Sequence, residues 1–270
     1  MQSSSRADQR FQREDGVFPE FQIVLQPIVD LERERIFAYE ALSRGSHDES
    51  YAELIEAIDP PSLPLFNKLA LAKALRLAAE LQLEATGAKI SLNVGPTPGI
   101  DADYILHTAR HYGIKASSIM LELTEGIRMS CVDLRRIIAC HRAIGVLVAI
   151  DDFGAGYAGL NALATCTPDV LKIDRELITH IESNMAKKTI VKAFAGVCRR
   201  LKVQIVAEGV ETMAECRTLQ GFGVNLMQGH LFARPAACTV PSINFPGKLQ
   251  RRLPRITRED RQWLRNAIRQ

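Results

Sequence analysis

The 270-residue chain lacks the features that mark membrane-spanning, secreted and zinc-binding proteins. It has no run of eighteen apolar residues, so no segment is predicted to cross a membrane. The first sixteen residues are polar and have no apolar core of the kind found in a secretory signal. The six cysteines include no Cys-x-x-Cys pair, and no Cys/His spacing typical of a zinc site is present. These absences favour reduced thiols and a cytoplasmic location.

Basic residues are concentrated at the end of the chain. Residues 248–270 contain eight Lys and Arg against Glu259 and Asp260. A basic tail can bind nucleic acid or anionic lipid, but this tail has little aromatic content and the rest of the chain is not basic. We therefore expect no nucleic-acid partner and interpret residues 247–270 as a basic, helical, solvent-exposed tail. Residues 1–18 are predicted to be a disordered polar lead, and residues 19–246 a single domain.

Seven short, mostly apolar runs each end in a polar side chain. A buried parallel strand has a near-continuous apolar run of this kind. Seven strand ends converge on one place only if the strands close into a barrel, where the carboxyl ends of the strands carry the catalytic groups. The residues that follow the runs are Glu40, Asn93, Glu122, Asp151 with Asp152, Lys172, Glu208 and Gln228.

The order of elements supports the same fold class. The first two predicted strands are joined by a short charged turn, which favours an antiparallel pair, and Pro27 suggests that the first strand lies at an edge. Strands and helices then alternate, which indicates a parallel sheet with right-handed crossovers. Eight strands imply an α/β barrel. They are predicted at residues 21–29, 36–42, 88–94, 118–123, 146–151, 169–173, 203–207 and 223–227.

The polar residues at the strand ends form an all-oxygen set of candidate metal ligands, namely Glu40, Asn93, Glu122, Asp151 and Asp152. Such a set selects magnesium, manganese or calcium over zinc or copper. The adjacent aspartates would repel each other unless a cation lay between them, and one of them can bridge two metals. Two metals roughly 3.5–4 Å apart suit in-line attack on a phosphodiester. The ligand types therefore predict a phosphodiesterase.

Other polar residues complete the predicted site. Lys172 can orient the attacking water, and Glu208 is a candidate second-metal ligand or proton acceptor supported by Glu211. Gln228 can bind a water or a substrate oxygen. The guanidinium of Arg44 can donate two parallel hydrogen bonds to a phosphate.

A simpler interpretation remains open for each residue alone. A glutamate at a strand end is usually solvated or paired, and residues 151–154 could be only a turn. Lys172 and Asp174 could form a surface ion pair. These readings would have to hold together at all seven strand ends, which favours the functional interpretation.

A series of short motifs extends over residues 21–235. The motifs are Gln26-Pro27-Ile28, Glu40-Ala41-Leu42 with Arg44, Asn93-Val94, Glu122-Leu123-Thr124-Glu125, Asp151-Asp152-Phe153-Gly154, Lys172-Ile173-Asp174, Glu208-Gly209-Val210-Glu211-Thr212 and Gln228-Gly229. In this order the series resembles the EAL-domain cyclic di-GMP phosphodiesterases. Any one tripeptide is unspecific, whereas the ordered set is highly specific.

The resemblance implies a TIM-like (β/α)8 barrel whose first strand is antiparallel to the rest. It implies hydrolysis of cyclic di-GMP to linear pGpG with two magnesium or manganese ions, and inhibition by calcium. A homodimer is also implied. The polar lead is too short to fold alone, so a sensor domain is expected in trans or on a longer protein.

The resemblance also assigns roles to residues by position. The metal ligands are Glu40, Asn93, Glu122, Asp151, Asp152 and Glu208. The residues that act at the attacking water are Lys172, Glu208 and Gln228, with Glu211 in support. The substrate contacts are Gln26, Arg44 and Asp174. The segment that couples the dimer interface to the site includes Glu125, Phe153 and Gly154.

The chain departs from the pattern of the family at several positions. Leu25 replaces an aromatic residue, Gly45 replaces a tryptophan, and His230 replaces a tyrosine. Residues 155–159 lack the usual threonine and serines. No departure removes a metal ligand or Lys172, so substrate affinity and dimer coupling are the properties affected. The alternative is a catalytically silent EAL domain that acts as a cyclic di-GMP receptor or a protein-interaction module.

Overall fold

The computed structural model describes residues 18–94, 99–124, 131–154, 163–164, 166–237 and 243. The predicted tail, all of the predicted lead except Phe18, and most of the loop after Gly154 lie outside this part of the chain. Within it, none of the helices combines the length and the apolar character needed to cross a membrane.

The described part of the chain contains nine strands and seven α-helices. The strands are β1 (Phe21–Asp30), β2 (Arg35–Gly45), β3 (Lys89–Asn93), β4 (Ile119–Thr124), β5 (Leu147–Phe153), β6 (Val170–Ile173), β7 (Gln204–Ala207), β8 (Leu226–Met227) and β9 (Ala236–Ala237). The helices are α1 (Tyr51–Glu56), α2 (Leu63–Glu80), α3 (Ala102–His111), α4 (Cys131–Ala143), α5 (Arg175–Ile178), α6 (Met185–Leu201) and α7 (Met213–Gly221). Short 3-10 helices occupy Pro60–Ser62, Leu83–Thr86 and Ala116–Ser118.

Strands β1 to β8 close into a barrel. The strand order is β2-β3-β4-β5-β6-β7-β8-β1, and β1 also pairs with β2. Every pair from β2 to β8 is parallel, whereas β1 is antiparallel to both of its neighbours. The predicted eight-stranded α/β barrel with a reversed first strand is therefore confirmed. Strand β9 is an addition that pairs with β1.

The prediction that β1 is an edge strand is wrong. Strand β1 pairs with β2 on one side and with both β8 and β9 on the other. Strand β8 meets β1 at Val29 and Asp30, and β9 meets it at Val24 and Leu25. Pro27 lies between these two pairings. A residue without an N–H is tolerated there because no ladder hydrogen bond is required on that side.

An apolar layer fills the barrel interior. Alternate residues of a strand point to the same face. The apolar layer consists of residues that lie two positions from a polar side chain of the site, and they pack as one buried cluster. They are Ile28, Ala38, Met120, Ala149, Val170, Val206 and Leu226. The corresponding residue of β3 is Ser91, which is fully buried. This apolar layer supports the polar side chains above it.

Helices cover the outer faces of the strands. Around β1 to β4 the main cluster packs Leu25 and Ile90 against Leu75 of α2 and Ile105 of α3. Around β6 to β8 a second cluster includes helices α6 and α7. Helix α2 begins at Leu63, where Pro64 fits the first turn of a helix.

Gly229 is required by close backbone packing. It has a φ of 156°, and a Cβ atom at this position would lie 2.1 Å from the carbonyl oxygen of Val210. The Val210 N–H donates to the carbonyl of Gln228 at 3.0 Å. The contact therefore fixes the backbone next to Gln228.

We predict that Gly229→Ala lowers the free energy of unfolding by about 2–4 kcal/mol, because the clash is with backbone and cannot be relieved by a side chain. The control is Gly196→Ala in α6, where a Cβ atom meets nothing within 4 Å. That change should stabilise the helix by about 0.5–1 kcal/mol. Chemical denaturation measures both, and equal effects would contradict the assignment.

Candidate active site

A buried lysine lies at the centre of the polar layer. The side chain of Lys172 is 1% exposed. Its Nζ lies 2.6 Å from Oε1 of Glu208, 2.8 Å from Oε2 of Glu122 and 3.0 Å from Oδ1 of Asp151. Oε2 of Glu40 is 3.5 Å away. Burial alone would lower the pKa of Lys172, but the surrounding carboxylates raise it well above its usual value. Lys172 is therefore a charged ammonium.

Amide side chains hold Glu40. Nδ2 of Asn93 donates to Oε1 of Glu40 at 2.9 Å, and Nε2 of Gln228 donates to Oε2 at 2.7 Å. The same Nε2 also contacts Oε1 of Gln26 at 3.2 Å. Burial raises the pKa of Glu40, but Lys172 and the two amide donors outweigh burial, so the pKa lies below its usual value. Glu40 is therefore ionised.

Glu122 is the most deeply buried carboxylate of the group, with its side chain 0% exposed. Its Oε1 accepts a 2.5 Å hydrogen bond from Oγ of Ser91, and its Oε2 accepts from Lys172. Burial and the negative charge of Glu40 raise the pKa of Glu122 well above its ordinary value, although Lys172 opposes the shift.

A β-bulge brings Asp151 and Asp152 to the same site. Consecutive residues of a regular strand point to opposite faces, but the register between β5 and β6 shifts between Ile150 and Phe153. Asp152 has a left-handed backbone with a φ of 55°. This conformation costs a non-glycine residue free energy, and such strained residues and bulges are common at functional sites. Burial and the neighbouring Asp151 raise the pKa of Asp152.

Carboxylate oxygens form two groups that could each hold a cation. The first group is Glu40, Glu122 and Asp151, and the second is Asp151, Asp152 and Glu208; within each, the oxygens lie within 4.8 Å of one another. Asp151 belongs to both. Oε1 of Gln228 is buried and has no hydrogen-bond partner among the described residues. This oxygen-only donor set fits two hard divalent cations that share one carboxylate.

Glu208 lies at the more open side of the group, with its side chain 16% exposed. Burial raises the pKa of Glu208 to about 8, with Lys172 opposing the shift and Asp151 adding to it. Glu211 lies at the rim, where its Oε1 is 4.0 Å from Nη2 of Arg175 and 4.0 Å from Nδ1 of His230. Within the part of the chain that the structure describes, Glu211 forms no ion pair with Lys172, and its support for Glu208 stays a prediction.

The loop after β7 is anchored by Glu215, which is 2% exposed. Oε2 of Glu215 accepts from the N–H groups of Glu211 and Thr212 at 3.0 and 2.9 Å. Its Oε1 accepts from the N–H of His180 at 2.9 Å. The Thr212 and Glu215 contacts form the capping box of α7. Glu215 therefore joins the loops that follow the strands of Lys172 and Glu208.

Two predicted substrate contacts lie near the polar layer. Arg44 is on the same face of β2 as Glu40, four residues further on, and its Nη1 donates to the carbonyl of Ser43 at 2.8 Å. Asp174 is the N-cap of α5 and accepts from the N–H of Glu176 at 2.7 Å. In the structure, Asp174 therefore has a local role, which is to cap the helix that follows β6.

The predicted coupling segment is described only at its start. Phe153 is buried and packs edge-on against Phe194, with ring centroids 4.8 Å apart. Gly154 has a φ of 107°, and a Cβ atom there would lie 2.5 Å from Cδ1 of Leu177. Glu125 lies outside the described residues.

The sequence did not identify Ser91 or Glu215. Ser91 is a polar residue inside the apolar run of β3, two positions before Asn93 and therefore on the same face. That spacing was the available signal. For Glu215, the signal was the Thr-x-x-Glu pattern of a capping box.

A family model described as "EAL domain" matches residues 9–235 of the chain. The chain is 32% identical over 227 residues to the Escherichia coli protein named "Blue light- and temperature-regulated antirepressor BluF", covering 82% of this chain and 56% of the relative. It is 33% identical over 235 residues to the E. coli protein named "Probable cyclic di-GMP phosphodiesterase PdeN", covering 80% of this chain and 43% of the relative. The chain therefore spans about half the length of these two relatives.

Solved structures show the same similarity. A standalone versatile EAL protein from Vibrio cholerae O395, in a c-di-GMP-bound form, has a TM-score of 0.78 and 36% identity, covering 84% of this chain and 96% of that chain. A manganese and cy-diGMP complex of Klebsiella pneumoniae BlrP1 has a TM-score of 0.74 and 34% identity, covering 81% of this chain and 56% of that chain.

We predict that Lys172→Met lowers the free energy of unfolding of the metal-free protein by about 3–5 kcal/mol, because four buried carboxylates lose their counter-charge. Added Mn²⁺ should raise the unfolding temperature of this variant more than that of the unmodified protein, since the cation replaces the lost charge. The control is Lys89→Met, because Nζ of Lys89 donates to the carbonyl of Ser117 and forms no ion pair with a carboxylate of the described residues. Thermal unfolding with and without Mn²⁺ tests this, and an equal or smaller shift for Lys172→Met would contradict it.

The raised pKa of Glu208 gives a pH prediction for metal binding. Below a pKa of about 8 the carboxyl group holds a proton, which a cation must displace. The affinity for Mn²⁺ should therefore increase with pH up to that value, by up to about tenfold per pH unit for each proton released. Calorimetry in buffers of different ionisation enthalpy measures both the affinity and the protons released. Constant affinity from about pH 6 to 9 would show that Glu208 does not bind the cation.

Proposed function

The chain belongs to the EAL domain family, and we propose that it is a metal-dependent phosphodiesterase that hydrolyses cyclic di-GMP to linear pGpG. The observation that carries the proposal is the pair of carboxylate groups that share Asp151 around the ammonium of Lys172. Relatives named for cyclic di-GMP hydrolysis or solved with the dinucleotide support the choice of substrate.

In this proposal, bound Mg²⁺ or Mn²⁺ would activate the attacking water and neutralise charge on the phosphate. Glu40, Asn93, Glu122 and Asp151 would hold the first ion, and Asp151, Asp152 and Glu208 the second. Calcium is expected to bind the same oxygen ligands and to inhibit.

The other residues of the chain act on the water and the substrate. Lys172 holds a positive charge next to the carboxylates and would orient the attacking water. The unpartnered Oε1 of Gln228 would accept a hydrogen bond from that water. Glu208, in its ionised form, would take up the proton of that water. Gln26 and Arg44 would contact the substrate from β1 and β2.

A receptor without activity is the second candidate function. It is favoured by the similarity to an E. coli protein named as an antirepressor. A receptor needs the substrate contacts but not both cations, so it predicts binding of the dinucleotide without turnover.

We also propose a homodimer in the cytoplasm, whose interface is coupled to the site through Glu125 and the loop that begins at Phe153 and Gly154. The support within the described residues is tight packing at the start of this loop, where Gly154 leaves no space for a side chain beside Leu177. A change at the interface would then move the bulge that carries Asp152. A sensor domain or a partner in trans would provide the signal.

The first test is chromatography of cyclic di-GMP after incubation with the purified protein in magnesium, manganese, calcium or chelator. We predict linear pGpG with magnesium or manganese and none with calcium or chelator. Glu40→Gln should reduce the rate at least about 100-fold, because it removes a ligand charge.

The matched control is Glu84→Gln, a carboxylate that binds the N–H of Lys115 outside the barrel mouth and whose loss should leave the rate unchanged. Tight binding of cyclic di-GMP with no product would refute the hydrolase and favour the receptor. Product formed equally in chelator would refute the role of the cations.

A further inference from the structure

Ser91 is an exception in the apolar layer of the barrel. On the other strands, the residue two positions from the polar side chain is apolar, and these residues pack as one cluster that includes Ala38 of β2 and Met120 of β4. Ser91 is in register with Met120 on one side and with Glu40 on the other, and it is 0% exposed. A buried hydroxyl is costly unless it forms a hydrogen bond. An alanine would fill this position at no such cost, so the hydroxyl requires an explanation.

The hydroxyl of Ser91 has a charged partner. Its Oγ donates to Oε1 of Glu122 at 2.5 Å, a length typical of a hydrogen bond to a carboxylate. The other oxygen of Glu122 accepts from Lys172. Both carboxylate oxygens therefore accept a hydrogen bond, one from Ser91 and one from Lys172, and these two bonds fix the plane of the carboxylate.

We infer that Ser91 is a positioning residue, which holds the carboxylate of Glu122 in the orientation that a divalent cation needs. The inference rests on the proposed function, because it concerns the same cation site. Ser91 itself touches neither substrate nor cation. Groups that hold a metal ligand in this way typically contribute about 10–100-fold to metal affinity.

The test compares Mn²⁺ binding by Ser91→Ala with binding by the unmodified 270-residue chain, measured by calorimetry without substrate. The expected result is a Kd that is about 10–100-fold higher in Ser91→Ala. Ser91→Thr keeps the hydroxyl and suits a strand, so it should bind Mn²⁺ nearly as well as the unmodified protein.

A second variant separates positioning from a general loss of stability. Thr108 is a buried residue of α3 whose Oγ1 donates to the carbonyl of Tyr104 at 2.8 Å. Thr108→Ala therefore removes one buried hydroxyl hydrogen bond, as Ser91→Ala does. It should leave the affinity for Mn²⁺ unchanged.

The outcomes separate this inference from the proposed function. If the unmodified protein binds no Mn²⁺, the proposed function and this inference both fail. If it binds Mn²⁺ and Ser91→Ala binds equally well, or weakens only as much as Thr108→Ala, the inference alone fails. If Ser91→Ala does not fold, Ser91→Cys keeps a weak donor of similar size; an intermediate Kd supports the role of the hydroxyl, and an unchanged Kd overturns it.

Discussion

The ion cluster around Lys172 is the interaction on which the arrangement of the site depends. Four carboxylates from β2, β4, β5 and the loop after β7 lie within 3.5 Å of one ammonium group. Taking so many charges out of water is costly, and the cost is offset only when each charge has a close partner. The cluster therefore constrains the ends of several strands at once. It also leaves the carboxylates buried and crowded, and burial, with the neighbouring negative charges adding to it, raises the pKa of Glu122 and Glu208. A site with this excess of negative charge is well suited to bind additional cations.

The inside of the barrel has two layers, an apolar layer that packs as core and a polar layer that forms the candidate site. Alternation along the strands places an apolar residue below each polar side chain, so the charged layer rests on a packed core. Two local exceptions adapt this pattern to the site. The bulge at Asp152 brings two consecutive aspartates to one group, and Ser91 extends a donor from the apolar layer to Glu122. In both cases a departure from regular strand chemistry is associated with a carboxylate that could bind a cation.

The sequence predicted the barrel well because strand identity depends on short apolar runs, which are a local property. It also predicted which residues meet, since the polar residue after each run must lie at the carboxyl end of a parallel strand. It failed where the outcome depends on the pairing of distant segments. Pro27 suggested an edge strand, whereas β1 is interior and is paired by β8 and β9 on either side of the proline. It also missed the short helix α1, although Ser50 and Glu53 form a capping box there. The bulge at Asp152 could not be predicted, because it depends on the register between β5 and β6.

The reversed direction of β1 explains why the two ends of the barrel differ. The parallel strands contribute residues at or near their carboxyl ends to the site. Strand β1 instead contributes Gln26 from its middle, where pairing with β2 continues on both sides of the contact with Glu40. The end of β1 lies at the other face of the barrel, where the buried Asp30 accepts from the backbone N–H of Arg33 and pairs with the side chains of Arg33 and Arg35. That cluster fixes the tight turn into β2. Charge at this face therefore serves the fold, whereas charge at the opposite face remains available for chemistry.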